Sequence, residues 1–124
     1  MAQHANSYAR EECLKLLYSY AISGKILETD DNKAVIYFED LKPHIADLDL
    51  AIKKHLQKRS IEQLNVVVIS ILRLGAFEIL IEKKHNFKII INESVNLGKK
   101  YSDDKSAKFI NAILNNLYFE DQKK

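Results

Sequence analysis

The sequence predicts an all-α fold, on three observations. Apolar residues recur at i, i+3, i+4 and i+7 through most of the chain. Only three glycines and one proline punctuate 124 residues, too few for a turn-rich β fold. The one β-branched run, Val66-Val67-Val68-Ile69, has neither alternation nor a partner strand around it. The length argues for one domain over residues 1–124, large enough to bury a core without disulfides or metal.

Residues 1–6 are polar and expected to fray. Ser7 is the expected cap of the first helix, with Glu11 in its early turns where the dipole favours a carboxylate. Leu14, Leu17, Tyr18 and Ala21 give that helix a buried stripe, and Gly24 is its stop. A polar loop is expected over 25–32. Val35, Phe38, Leu41, Ile45, Leu48, Ile52 and Leu56 then hold helical spacing across Pro43. Proline removes a backbone hydrogen bond and crowds the preceding turn. Either a kinked rod or two helices divided at Pro43 is expected, and the unbroken spacing favours the rod.

Ser60-Ile61-Glu62-Gln63 has the form of a capping box, and Asn65 starts the next helix. That helix is apolar nearly all round, which places it centrally. A basic connector covers 83–88, Ile89 to Ile91 lead in, and Asn92 is the expected cap of a helix ending near Tyr101. Ser102-Asp103-Asp104 starts a last helix, whose stripe is Phe109, Ile110, Ile113, Leu114 and Leu117. The whole reads as a compact bundle of about six to seven helices.

Composition excludes more than it assigns. The net charge is +2, and only three of 19 basic residues are arginine: Arg10, Arg59 and Arg73. The planar arginine fork suits phosphate, which makes these three notable. Cys13 is the sole cysteine, so no internal disulfide forms, and a reducing cytoplasmic setting is expected. No signal peptide and no membrane span are read from the chain. His4, His44, His55 and His85 lack metal-ligand spacing, and Gly24, Gly75 and Gly98 are isolated rather than gathered in a phosphate loop. No nucleophile motif is present. Catalysis, metal and cofactor are therefore not expected.

Several segments carry polar residues that packing alone does not require. Ile71-Leu72-Arg73-Leu74-Gly75-Ala76-Phe77-Glu78 resembles the ILR…A-Y-E-L helix of the NusB family of bacterial transcription antitermination factors, with Phe77 for Tyr. Ile91-Asn92-Glu93-Ser94-Val95 resembles its INEA helix start. Lys108-Phe109-Ile110-Asn111-Ala112-Ile113-Leu114 resembles its KFVNGVL segment, with Ala112 for Gly and Asn115 for the following Asp. Ala9-Arg10-Glu11 and Leu17-Tyr18 resemble its first helix. The matches cover roughly half the chain, in order.

The resemblance implies an all-α fold of two small subdomains. It implies binding of boxA-type, single-stranded RNA from ribosomal RNA transcripts together with ribosomal protein NusE. It also implies contact with the RNA polymerase elongation complex through other Nus factors, and in some members a homodimer. Arg10 matches one of the family's N-terminal arginines and is a candidate phosphate contact; Lys15 and Tyr18 on the same helix are further RNA candidates, Tyr18 by stacking. Lys15 lies about 140° around the helix from Arg10 and need not share its face. Lys108 and Asn111, one turn apart, are candidates for one ligand. Glu78 is the candidate contact for NusE. Arg73 reads as a structural fork, Phe109 as core, and Asn92 and Glu93 as capping residues.

The family's arginine-rich opening is replaced here by Ala5-Asn6-Ser7-Tyr8. Cationic contacts dominate RNA affinity, so weak binding by the chain alone is expected. Two other readings stand beside this one: a detached RNA-recognition module related to the N-terminal domain of ribosomal RNA cytosine methyltransferases, and an adaptor that binds only protein.

Overall fold

The computed structural model describes residues 3–25 and 28–124, with side chains from residue 7 onward. Among these residues the chain is helical without strands. It forms α1 (Gln3–Ser23), α2 (Asn32–Leu41), α3 (Ile45–Lys53), α4 (Val66–Phe77), α5 (Phe87–Tyr101) and α6 (Asp104–Gln122).

Short-range chemistry sets most of the boundaries. Gly24 takes φ +72° just past α1, and its N–H donates to Tyr20 O at 2.8 Å. That left-handed step is nearly free for glycine and costly for a residue with a Cβ. Asp31 Oδ1 accepts from the Lys33 and Ala34 amides and starts α2. Asn65, Asn86 and Asp103 cap α4, α5 and α6 in the same way. Each cap satisfies an amide that a helix start leaves without a partner.

The chain keeps a helical path through Pro43. A 3-10 turn, Lys42–His44, joins α2 to α3, and the flanking Lys42 and Ile45 keep right-handed helical angles. Proline has no amide to donate to Glu39 O, and the chain tightens there from α-helix to a 3-10 turn. Taken as continuous rods, the described helices number five, fewer than the count expected from the sequence. The capping box accounts for part of the difference. The Ser60 amide does donate to Gln63 Oε1 at 2.8 Å, but the box opens only a single 3-10 turn, Ile61–Gln63, and not a helix.

Three other expectations are corrected. α1 is helical from Gln3, so Ser7 lies within it and does not cap it. Its buried side is Ala9, Arg10, Cys13, Leu14, Leu16 and Leu17, while Tyr18 and Ala21 face outward. The i, i+4 pattern fitted two stripes, and the core took the one through Cys13. α5 begins at Phe87 under Asn86, so Asn92 and Glu93 sit in its second turn and cap nothing. In the loop expected over 25–32, positions 26 and 27 lie outside the described residues.

α4 is the centre of the molecule. Nine of its residues from Val68 to Phe77 are buried, and it contacts α1, α3, α5 and α6. One apolar cluster draws on all six helices. Each fully buried Leu or Ile in it contributes about 1.5–3 kcal/mol relative to exposure. α5 and α6 are joined by Ser102 and Asp103 alone and pack closely at Gly98. A Cβ there would lie 2.9 Å from Ile110 Cδ1 and 3.3 Å from the Ala107 Cα. A five-residue π turn, Glu78–Glu82, extends α4; the Lys83 amide closes it on Glu78 O, and Lys83 itself turns left-handed at φ 55°.

Candidate nucleic-acid interface

The residues singled out from the sequence divide into three places. Arg10 and Glu78 lie in the interior, 1% and 0% exposed. Arg10 Nε and Nη2 donate to Glu78 Oε1 and Oε2 at 2.8 and 2.6 Å, a fork-to-carboxylate pairing, and Nη1 reaches Glu93 Oε1 at 3.4 Å. Burial opposes the charge on Arg10, but the hydrogen bonds and attraction of Glu78 prevail and raise its pKa further, so the guanidinium stays charged. The expectations that Arg10 offers its fork to phosphate and Glu78 its carboxylate to a partner protein do not match this placement. Both groups are spent on locking α1 to the junction of α4 and α5. Arg73 does act as the structural fork expected of it, donating from Nε and Nη2 to Asp49 at 2.8 and 2.9 Å.

Lys15 and Tyr18 lie on the opposite side of α1, in the open. Tyr8, Glu11, Lys15, Tyr18 and Ile22 follow intervals of three and four, so they form one outward stripe. Tyr8 is 63% exposed and Tyr18 40%. Beside the stripe stands the last turn of α5. Lys100 Nζ approaches Glu11 Oε2 at 2.6 Å, and the Tyr101 hydroxyl donates to the same oxygen. Lys15 Nζ pairs with Glu12 at 2.9 Å. Hydrogen bonds from Lys100 and Tyr101 hold the Glu11 carboxyl below the usual carboxylate range, and Glu11 in turn holds the protons on both donors more firmly. Tyrosine faces alternating with lysines are the elements of a single-strand platform, where bases stack and cations follow the backbone.

Lys108 and Asn111 occupy the third place, a groove of about 650 Å³ between α5 and α6. Its apolar lining is Phe87, Ile91, Val95 and Ala107, and its polar lining is Lys88, Asn92, Lys99, Lys108, Asn111 and Asn115, with one acid, Asp104. Asn115 Nδ2 donates to the Asn111 carbonyl at 2.9 Å and to its Oδ1 at 3.2 Å, which orients the Asn111 amide. The last turn of α5 links the two exposed places: Lys99 lines the groove and the adjacent Lys100 reaches the α1 stripe.

Tyr8, Lys100 and Tyr101 were not marked as site residues by the sequence. Tyr8 was legible from its heptad step to Lys15 once the buried side of α1 is known. Lys100 and Tyr101 meet α1 only through the fold. Among the described residues one trio has ligand atoms close enough for a cation, Glu78, Glu82 and His85, within 4.8 Å of one another. Glu78 is taken by Arg10, and Glu82 Oε1 accepts from the Tyr37 hydroxyl at 3.1 Å. No described helix is long and apolar enough to cross a membrane.

Comparison with known proteins identifies the frame of these groups. The family model described as NusB family matches residues 3–119. A transcription antitermination protein NusB from Buchnera aphidicola is 36% identical, over 88% of this chain and 87% of its own. That of a Sulfurovum species is 39% identical over 86% and 92%. Among solved structures, antitermination factors NusB and NusE in complex with double-stranded RNA give a TM-score of 0.85 at 27% identity, covering 96% of this chain and 99% of that one. Thermotoga maritima NusB gives 0.82 at 29% identity, over 92% and 90%. Matched by the family model over residues 3–119 and by relatives along most of their length, this chain belongs to the NusB family.

Proposed function

We propose that this protein is an RNA-binding adaptor in transcription antitermination, holding boxA-type RNA of ribosomal RNA transcripts together with ribosomal protein NusE. The likeness to the structure of antitermination factors NusB and NusE in complex with double-stranded RNA, over nearly all of both chains, is the observation that supports the reading. The chain meets bases with Tyr8 and Tyr18 and phosphates with Lys15 and Lys100. Lys108 and Asn111 extend the interface along the groove. Arg10 and Glu78 serve it from behind, by setting the angle of α1. The protein performs no chemical step in this reading. It acts as one domain whose two small subdomains, α1–α3 and α4–α6, share the α4 core.

The test is direct. Co-purified with NusE, the chain holds a boxA-type RNA at low salt and loses it as salt rises, because each phosphate contact releases counterions. No retention at low salt with NusE present overturns the reading.

A further inference from the structure

The middle of the exposed α1 face carries a carboxylate where an RNA backbone would run. Glu11 lies between Tyr8 and the pair Lys15 and Tyr18 on the outward stripe. An anion there repels phosphate unless it moves. Its contacts show what it is holding: Lys100 Nζ at 2.6 Å and the Tyr101 hydroxyl converge on one oxygen, Oε2. A cation and a neutral donor meeting at a single anionic oxygen suit a non-bridging phosphate oxygen equally well. Both donors are open to solvent on their other sides, with Lys100 60% and Tyr101 37% exposed.

We infer that Lys100 and Tyr101 form a subsite for one backbone phosphate of single-stranded RNA, occupied in the free protein by the chain's own Glu11. The inference rests on the RNA-binding reading above and deepens it. Glu11 is a flexible side chain on a helix surface and swings away by rotamer change alone, without moving α1 or α5. The phosphate then takes its two donors while neighbouring bases meet the tyrosine faces. Glu12 restrains Lys15 in the same manner at 2.9 Å. The free face is thereby internally neutralised. Casual contact with RNA must break an ion pair, and a strand held in register by the rest of the interface does so readily.

The experiment measures anisotropy of a labelled boxA-type single-stranded RNA on the chain bound to NusE, across a salt series, with a thermal melt for each variant. Glu11→Gln frees Lys100 and binds roughly two- to fivefold tighter at low salt, the range expected from releasing one exposed ion pair. Its log–log salt slope steepens by up to about 0.7, since no internal pair offsets the phosphate contact. Glu11→Asp keeps the charge but withdraws it by one methylene, and also binds tighter. Adding Lys100→Gln to Glu11→Gln cancels the gain. If the wild-type complex binds RNA and Glu11→Gln binds no tighter with an unchanged melt, the subsite is wrong and the general reading stands. A gain that survives Lys100→Gln, or is absent from Glu11→Asp, makes it a net-charge effect and also overturns the subsite. Failure of the wild-type complex to bind at all overturns both.

Discussion

Glu78→Gln isolates the strongest electrostatic element of the structure. The substitution keeps the shape of the side chain and removes its charge. Arg10 is then left 1% exposed, with Glu93 as its remaining carboxylate at 3.4 Å. Glu93 is itself 27% exposed and partly screened by water. Breaking a buried pair from one side costs about 3–5 kcal/mol, because the remaining charge keeps its desolvation penalty. At this chain length 1 kcal/mol moves Tm by about 3–5 °C, so a fall of roughly 10–20 °C is expected. Far-UV circular dichroism during heating reads it, and urea denaturation gives the free energy. The double replacement Arg10→Met with Glu78→Leu recovers most of the loss, since it removes both buried charges together. A fall of under about 3 °C for Glu78→Gln, against the 10–20 °C expected from this pair, would refute the structural role assigned to it. So would an Arg10→Lys variant that keeps its Tm yet loses RNA, because that places Arg10 in the interface.

The other predictions rest on packing, burial and exposure. Gly98→Ala pushes a methyl against Ile110 and the Ala107 backbone, which cannot rotate aside, and lowers stability in urea by about 1–3 kcal/mol. Cys13 is fully buried and burial pushes its thiol up to about 12, so it resists alkylation in the native protein and reacts once denaturant unfolds it. Burial and the neighbouring Glu78 push the Glu82 carboxyl upward. Its contribution to stability is thus present below the ordinary carboxylate range and lost as pH rises through the folded value. Glu82→Gln is therefore more stable than wild type at neutral pH, and the difference shrinks on acidification; an equal melt at both pH values contradicts this. Tyr18→Ala leaves Tm nearly unchanged and costs about 1–3 kcal/mol of RNA affinity, the worth of one stacked base.

How much was legible differs between the core and the surface. The apolar face that runs through Pro43, the central α4 and the stripe of α6 were legible because many apolar residues repeat the same period in each. Caps were read less well. Asn65 directly precedes its apolar run and was read as a start, whereas Asn86 and Asn92 are both good caps six residues apart. The choice between them came from where Ile90 and Ile91 find the core. The stripe read for α1 was half right, with Leu14 and Leu17 buried and Tyr18 and Ala21 outside, for a related reason. Leu14 and Leu17 belong to either side, and Arg10 looked like a surface residue until Glu78 supplied a buried partner 68 positions away.

The sequence by itself determined the helical class, most helix ends and the family, since periodicity, capping and short motifs are local and need no knowledge of neighbours. Only the tertiary structure decided which polar residues are available to a ligand. A charged side chain carries the same local signature whether it meets water or a distant countercharge. Arg10 and Glu78 were removed from the candidate surface by a contact between distant helices, and Lys100 and Tyr101 were brought to it by another. Availability is a property of the partner, and the fold alone chooses partners.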